Sequence, residues 1–295
     1  MIVSCITDRL GNQLFQYAAA KGLAVKNNTT LKIDKRYYDH NPPKGYFYGL
    51  DAFNIPQEFI TKREIKEYTG LSDHLFHKII RKFNKKHQKA NPNHIYFEPF
   101  FHYDEKMMSL SDKVYLRGYW QSYKYFEHIE DEIRNEFTFR NPVDKSEDVF
   151  AKKIIASNAV CISIRRGDHL WHPETSKKYG TYNFEYYLNG LEIIKQKEKE
   201  LELFVFSDDI EWCIANLKFD EPMTFVKHQF DKPRFDYYLQ LIAMCKHFII
   251  PVSTFPWWGA WLSENPGKMV IAPKVWFKDS SIITSDLFLP GWIRL

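Results

Sequence analysis

Short apolar runs that end at polar or turn-forming residues recur along the chain, and each predicts a buried strand. The run at 160–164 reads V-C-I-S-I and contains no proline, glycine or charged residue. Such a run is typical of a strand that is buried on both faces, as in a parallel sheet. The same pattern predicts strands at 2–6, 31–34, from 114 onward, 203–206, 248–250 and 269–272.

Segments with apolar residues at helical spacing alternate with these strands. They predict helices from about Leu14 to Ala24 and at 75–83, 148–156, 184–200 and 235–245. Strands that alternate with helices favour an α/β fold with parallel sheets. The pattern restarts after Asn141-Pro142 and the charged stretch that follows, which together indicate a linker. We therefore expect two lobes, 1–145 and 146–295, with the last residues packing back on the first lobe.

Composition narrows the class of protein. The 295 residues are 44% hydrophobic, which excludes a disordered chain, and a net charge of +4 is too small to indicate a nucleic-acid partner. The four cysteines are far apart in apolar runs, which predicts buried free thiols. Neither a signal peptide nor a run long enough to span a bilayer is visible, so we expect a cytoplasmic protein of undetermined oligomeric state.

Two arginines follow the strand at 160–164. In an open α/β sheet, ligands bind beyond the carboxyl ends of the strands, where Arg165 and Arg166 stand. A guanidinium group offers a planar fork of donors that matches phosphate oxygens. Gly167 permits a tight turn, and Asp168 is suited to hold a guanidinium or to act as a base. The stretch predicts a phosphate-binding site. A cluster of surface ion pairs remains the alternative.

Two further strand exits carry polar side chains of the kind that bind nucleotides. Carboxylates cap helices or accept hydrogen bonds from a ribose or base, and small hydroxyls before a helix suit phosphate. Because parallel strands end at the same sheet edge, we expect these groups to lie near Arg165. The exits consist of Ser207, Asp208 and Asp209 after one strand and Ser253 and Thr254 after another.

The sequence does not indicate a metal site. No D-x-D occurs anywhere in the chain, so the arginines would have to neutralise a diphosphate themselves. The pair His169 and His172 has H-x-x-H spacing, but Pro173 and the absence of an obvious third ligand argue against a metal.

The predicted helix at 75–83 has one apolar face and one face that carries only basic charges. Its interpretation is a helix packed on the core with a solvated face, and the alternative is a helix that lies on an anionic membrane surface. The basic residues are Lys78, Arg81, Lys82, Lys85, Lys86 and Lys89.

Five sequence blocks, spread in order over nearly the whole chain, resemble the bacterial α-1,2-fucosyltransferases of glycosyltransferase family eleven. They are L-G-N-Q-L-F-Q-Y-A at 10–18, G-Y-W-Q-S-Y-K-Y-F at 118–126, I-R-R-G-D at 164–168, F-S-D-D-I-E-W-C at 206–213, and C-K-H-F-I-I with W-W-G-A-W-L between 245 and 262.

This resemblance implies a fold, a reaction and partners. The fold would be GT-B, two Rossmann-like lobes that face each other across a cleft, with the acceptor on the N-terminal side and the nucleotide sugar on the C-terminal side. The reaction would be an inverting, metal-independent transfer of fucose from GDP-fucose, with no further cofactor. The acceptor would be a galactose-containing glycan, such as an O-antigen or capsule unit at the inner face of the membrane.

The resemblance also implies roles for individual residues. Arg165 matches the arginine that grips the β-phosphate, and Asn12 matches an asparagine near the reacting sugar, in place of the simple helix cap that its position otherwise indicates. Asp209 matches a carboxylate of the nucleoside pocket. The remaining residues that we assign to the nucleotide site are Arg166, Ser207, Asp208, Ser253, Thr254 and Phe255.

The chain departs from the family pattern at three places. Ser163 stands where the family usually has histidine, and Asp8-Arg9 stands where it usually has two glycines. The segment 252–256 reads V-S-T-F-P instead of an Asn-Ser-Ser-Phe-Ser run. Two of these places touch the implied nucleotide pocket.

The expected mechanism is a single displacement at the anomeric carbon, with GDP leaving under the charge of Arg165. Asp168 is the expected base and catalytic residue, with His169 and Glu174 as alternatives. Two other functions remain open: transfer from a different nucleotide sugar, and binding of a glycan or nucleotide without catalysis, which the loss of histidine at Ser163 suggests.

Overall fold

The computed structural model describes residues 1–39, 42–69, 94–167, 177–179, 183–227 and 234–295. The expected basic helix at 75–83 lies outside the described residues, as do Asp168, His169, His172 and Glu174. The chain forms two compact units. The first, here the N-terminal lobe, comprises Met1–Thr138 and Ile282–Phe288, and the second, the C-terminal lobe, comprises Phe139–Ser281 and Leu289–Leu295.

The N-terminal lobe is built on a four-stranded parallel sheet with the strand order β2-β1-β4-β3. Its strands are β1 (Ile2–Cys5), β2 (Leu31–Asp34), β3 (Ile95–Phe97) and β4 (Val114–Arg117). Its helices are α1 (Leu10–Lys26), α2 (Arg36–Asp39), α3 (Lys62–Thr69), α4 (Glu105–Met108) and α5 (Glu130–Glu136), with short 3-10 helices at Leu50–Ala52, Tyr123–Tyr125, Glu127–Ile129 and Ser285–Leu287.

The C-terminal lobe is built on a six-stranded parallel sheet with the strand order β10-β9-β8-β5-β6-β7. Its strands are β5 (Asn158–Ile164), β6 (Leu201–Ser207), β7 (Met223–Phe225), β8 (His247–Ile249), β9 (Val270–Ala272) and β10 (Ile293–Arg294). Its helices are α6 (Val149–Ala156), α7 (Phe184–Lys195), α8 (Ile210–Asn216), α9 (Phe235–Met244) and α10 (Thr254–Leu262).

The core of the C-terminal lobe explains why β5 carries so few polar residues. Val160, Ile162 and Ile164 face a buried cluster formed with α7 and α8. Cys161 points to the other face, where it contacts Cys245 beside α9. Apolar side chains are therefore needed on both faces of β5, and this requirement produces the uninterrupted run in the sequence.

Polar side chains fix where several helices of this lobe begin. Asp148 accepts a hydrogen bond from Ala151 N before α6, Asn183 from Tyr186 N before α7, and Asp209 from Trp212 N before α8. These caps satisfy backbone donors that have no partner within the helix.

The expected α/β class with two Rossmann-like lobes is confirmed. The expected free cysteines are all buried, and Trp257, Trp258 and Trp261 are core residues of α10. Three strands were not predicted, namely β3, β7 and β10. Among the described residues, no helix is long and apolar enough to cross a membrane.

Candidate active site

The strand order of the C-terminal lobe places a ligand site at a defined point of its sheet. The chain passes from β5 to β6 and β7 on one side, and then returns to β8 on the other side of β5. The connections after β5 and β8 therefore lead away from each other, and ligands of open α/β sheets bind in the crevice at such a point. Arg165 follows β5, and Ser253 follows β8.

Arg165 and Arg166 are both held by the exit of β6. Arg165 Nη1 lies 2.7 Å from Asp208 Oδ2, and the two side chains are 22% and 24% exposed. Arg166 N donates to Asp208 Oδ1 at 2.9 Å, and Arg166 Nε donates to Asp209 Oδ2 at 3.1 Å. The register pairs Ile164 with Ser207, which brings the two exits side by side. Asp208 and Asp209 thus lie beside the two arginines, as expected, while proximity of Ser253 and Thr254 to Arg165 stays a prediction.

The two arginines differ in their surroundings. The Arg166 guanidinium carbon lies 3.5 Å from the centre of the Trp212 ring, so this side chain is held by an aromatic face and by Asp209. Arg165 pairs with Asp208 at the edge of the sheet. The Arg166 side chain is thereby held within the protein, and contact of either arginine with a ligand stays a prediction.

The acidic residues after β6 are engaged within the protein. Asp209 Oδ1 accepts from Trp212 N at 3.4 Å and so caps α8, while Asp209 N donates to Ser207 Oγ at 3.0 Å. Asp209 therefore caps α8 and also holds Arg166, while Asp208 holds Arg165. Direct contact of Ser207, Asp208 and Asp209 with a nucleotide stays a prediction.

Gly167 is required by close packing at this exit. A Cβ atom at this position would lie 2.5 Å from Asp208 Oδ2. The glycine therefore leaves room for the carboxylate that positions Arg165.

Cys213 lies beneath the site in α8. Its thiol is buried, and this burial is the main reason that its pKa is raised; Asp209 and Asp208 raise it further, while Ser207 and Arg166 act in the opposite direction. The thiol is therefore protonated at neutral pH and is not a candidate nucleophile.

Ser253, Thr254 and Phe255 are half-buried at the start of α10. Ser253 is the residue before the helix, and its hydroxyl does not cap it. The Phe255 ring packs edge-on against Phe235 at 6.3 Å between centroids. These residues lie beyond β8, the strand next to β5, and a role in binding stays a prediction.

Ser163, which departs from the family pattern, is buried on β5, and its carbonyl oxygen accepts a hydrogen bond from the Tyr187 hydroxyl at 3.1 Å.

Asn12 belongs to the N-terminal lobe and is not a helix cap. Helix α1 begins at Leu10, four residues before the first predicted apolar position, and Arg9 precedes it. Asn12 Oδ1 accepts a hydrogen bond from Gln121 Nε2 at 2.8 Å, which joins two of the sequence blocks quoted above. Gln16, a buried residue of the same sequence block, has a structural role: its side chain donates to Thr7 Oγ1 and to Gly118 O.

Sequence reasoning did not single out Trp212 or Glu98. Trp212 lies in a quoted block, but its contact with Arg166 depends on the start of α8. Glu98 follows β3, one of the missed strands, and no motif surrounds it. Within the described ranges, no three His, Cys, Asp or Glu side chains are grouped as a metal site would require.

The two parallel sheets and the guanidinium groups at a switch point are typical of an α/β protein that binds a ligand at its sheet edge, and comparison with known proteins identifies the family. The family model of glycosyl transferase family 11 matches residues 1–295. The chain is 31% identical to an alpha-1,2-colitosyltransferase of Escherichia coli, over 100% of this chain and 99% of that protein. It is 28% identical to the O-antigen biosynthesis glycosyltransferase WbnK of Escherichia coli, over 99% of both chains.

The chain belongs to glycosyl transferase family 11, and it is a glycosyltransferase. Among solved structures, POFUT1 in complex with GDP shares the fold, with a TM-score of 0.50 and 13% sequence identity over 92% of this chain and 97% of that chain. The resemblance inferred from the five sequence blocks is confirmed.

Proposed function

We propose that this glycosyltransferase moves L-fucose from GDP-fucose to a glycan hydroxyl group, with inversion at the anomeric carbon and without a metal ion. The proposed linkage is α-1,2 to a galactose residue of a surface polysaccharide. The observation that carries the proposal is the guanidinium of Arg165, held by Asp208 at the switch point of the C-terminal sheet. The family, and the α-1,2 linkage in the name of one relative, support it.

The reaction is a single displacement. The acceptor oxygen forms a bond to the anomeric carbon while the bond from that carbon to the β-phosphate oxygen breaks, and the electron pair leaves with GDP. Arg165 donates to the oxygens on which this charge develops. Removing one such positioned group typically lowers the rate by about 10²–10³-fold. The proton of the acceptor hydroxyl passes to a carboxylate, for which Asp168 remains our prediction.

A second donor is favoured by one comparison. The relative with 31% identity is named a colitosyltransferase, so a colitosyl group is the alternative to fucose at the same site. The nucleotide and the mechanism would be unchanged, and the difference would lie in the sugar pocket.

Product analysis with a lactose-type acceptor tests both donors. We expect turnover with GDP-fucose that persists in EDTA and falls by about 10²–10³-fold in Arg165→Ala. The control is Arg134→Ala, which removes an arginine that pairs with Glu130 in the N-terminal lobe. Faster turnover with the colitose donor would replace fucose in the proposal. Transfer that stops in EDTA, or that survives loss of Arg165, would overturn the role of the arginine.

We also propose a cytoplasmic enzyme with peripheral contact to the inner membrane face. Sedimentation with anionic and neutral liposomes tests this directly. We expect preferential sedimentation with anionic vesicles, and equal sedimentation with both would remove the membrane contact.

A further inference from the structure

The N-terminal lobe has a switch point of its own. Strand β1 is followed by β2 on one side, and the chain then continues to β3 and β4 on the other side of β1. The exits of β1 and β4 each contain a residue other than glycine in the left-handed region: Asp8 with φ 69° and Trp120 with φ 55°. Residues with side chains adopt this backbone rarely, and in known proteins such residues cluster at ligand sites.

Asp8 is held in this conformation from its backbone side. Its carbonyl oxygen accepts hydrogen bonds from the Tyr38 hydroxyl at 2.7 Å and from Gln13 Nε2 at 3.0 Å. Gln13 is fully buried and also donates to Phe47 O at 2.8 Å. Burial, and next the charge of Asp8, raises the pKa of Tyr38, so its hydroxyl stays protonated and remains a donor. These contacts fix the backbone of Asp8. The position of its side chain is set by other contacts.

Glu98 fixes the facing turn. Its two carboxylate oxygens accept hydrogen bonds from Tyr119 N and Trp120 N, both at 2.8 Å, and the side chain is buried. Gly118 allows this approach, because a Cβ atom there would lie 2.4 Å from Glu98 Cβ. A buried carboxylate that receives two backbone donors makes a rigid turn.

This turn brings two side chains to the exit of β1. The Tyr119 hydroxyl donates to Asp8 Oδ2 at 3.2 Å, and Gln121 Nε2 donates to Asn12 Oδ1 at 2.8 Å. Asp8 Oδ1 accepts from Arg9 N at 2.9 Å. A carboxylate has about four acceptor positions on its two oxygens, so these contacts leave capacity for a ligand hydroxyl.

Aromatic rings border the same place. Tyr119 is 36% exposed and Phe47 is 39% exposed, and the Arg9 guanidinium carbon lies 5.1 Å from the centre of the Tyr46 ring. Hydroxyl acceptors beside exposed ring faces suit a neutral sugar, which offers O–H donors at its rim and an apolar C–H face for an aromatic ring.

We propose that Asp8, Asn12 and Tyr119 form the site for the acceptor glycan and that the Asp8 carboxylate selects it by accepting a hydrogen bond from a hydroxyl of a neutral terminal hexose. This inference rests on the proposed glycosyl transfer and adds a specificity-determining residue to it. A glycine at position 8 would occupy the left-handed backbone without strain but would offer no acceptor. The aspartate therefore gives this chain a contact that glycine lacks.

Asp8→Gly and Asp8→Asn test the site. Asp8→Gly introduces the residue that best accommodates a φ of 69°, so loss of folding is not expected. Because a hydrogen bond to a charged group is removed, we expect the acceptor KM to rise at least about tenfold more than the donor KM, with Asp8→Asn in between. The matched control is Lys113→Gly, which relieves a φ of 68° in the same lobe before β4 and should change neither KM.

The outcomes separate this inference from the proposed function. Unchanged acceptor KM in Asp8→Gly, or equal rises in both KM values, would overturn the site while leaving the transferase. If the wild type transfers no sugar from GDP-fucose or from the colitose donor, calorimetric titration with the free lactose-type glycan decides. Binding that weakens in Asp8→Gly and not in Lys113→Gly supports the site without the proposed reaction. If the wild type binds the glycan no more tightly than Asp8→Gly does, or does not bind it, the proposed site is contradicted.

Discussion

Asp208 holds Arg165 with one carboxylate oxygen and the backbone of Arg166 with the other. The distances are 2.7 Å from Oδ2 to Arg165 Nη1 and 2.9 Å from Oδ1 to Arg166 N. A single side chain on the exit of β6 thus sets both the path of the chain after β5 and the direction of the guanidinium. Orientation of this kind is paid for during folding, so it costs nothing when the transition state forms.

The variant Asp208→Asn distinguishes the role of Asp208 in orienting Arg165 from the effect of its negative charge. The amide keeps the size of the side chain but loses the ion pair, so the guanidinium is less well positioned. Removing a negative charge near the diphosphate also favours nucleotide binding, and in the ground state the two effects oppose each other. We expect kcat to fall by about 10–100-fold while the Kd for GDP changes by less than about threefold. Rapid-quench kinetics and calorimetry measure the two quantities. A large rise in Kd at constant kcat would contradict a positioning role.

The variant Gly167→Ala tests the same contact by displacing the Asp208 carboxylate. The new Cβ would lie 2.5 Å from Asp208 Oδ2, and the carboxylate can turn away at low cost to stability, which breaks its pair with Arg165. We expect a loss of kcat similar to that of Asp208→Asn and little change in Tm. Because both changes act on one contact, the double variant should lose less than the sum of the two free-energy effects. Additive losses would mean that Gly167 acts elsewhere.

Much of the fold could be predicted from local pattern, and the exceptions have physical causes. Strand β5 was evident because both of its faces are buried, which removes polar residues from the whole run. Strands β3 and β7 have three residues each and are partly exposed, so neither alternation nor an apolar run marks them. Helix α1 starts earlier than expected, at Leu10, because Gly11 and Asn12 lie in its first turn rather than before it.

The sequence was sufficient to predict which strand ends carry the residues of the candidate site. It was not sufficient to predict which of these residues contact each other. That Arg165 and Asp208 share one edge follows from parallel strands. That they pair depends on the register between Ile164 and Ser207, which residue spacing does not encode. Glu98 acts through a buried turn and Asp8 has an unusual backbone conformation, and an isolated acidic residue in a sequence indicates neither.

Glu98→Gln tests the turn that carries Tyr119. The amide retains one acceptor oxygen but directs an NH2 group at a backbone donor. We expect a loss of about 1–3 kcal/mol in the free energy of unfolding, because a buried donor is left without an acceptor. Urea denaturation measures this loss. The control is Glu105→Gln, which removes an exposed acidic charge from the same lobe. Equal stability of the two variants would show that the turn does not depend on Glu98.

His247 predicts a pH dependence of stability. It is 3% exposed on β8, and its Nδ1 accepts a hydrogen bond from Met269 N. Burial lowers the pKa of His247, with a smaller effect of Lys246 in the same direction, while Glu198 opposes both. The unfolded chain therefore binds a proton more readily than the folded chain does. The stabilisation is complete above the unfolded value of about 6.5 and declines as the pH falls through it towards the folded value.

The variant His247→Asn tests this assignment, because an amide oxygen can accept the hydrogen bond but does not titrate. We expect the free energy of unfolding of the wild type to fall more steeply from pH 7.5 to pH 5.5 than that of the variant. Slopes are compared rather than absolute values, because the smaller side chain also costs packing. Parallel slopes would assign the acid sensitivity to other groups.

We expect one added methyl group at Gly22 to destabilise the N-terminal lobe. In the middle of α1, a Cβ atom at this position would lie 2.0 Å from the carbonyl oxygen of Tyr125, and backbone cannot move aside as a side chain can. Alanine favours a helix over glycine by about 1 kcal/mol, whereas overpacking costs about 1–3 kcal/mol or more, so the clash should dominate. We expect Gly22→Ala to lower Tm by several degrees, while Gly267→Ala, whose nearest neighbour would be 3.9 Å away, should leave it unchanged. If Gly22→Ala were as stable as the wild type, α1 would not approach the 3-10 helix Tyr123–Tyr125 as closely as described, and the hydrogen bond from Gln121 to Asn12 would lose its structural basis.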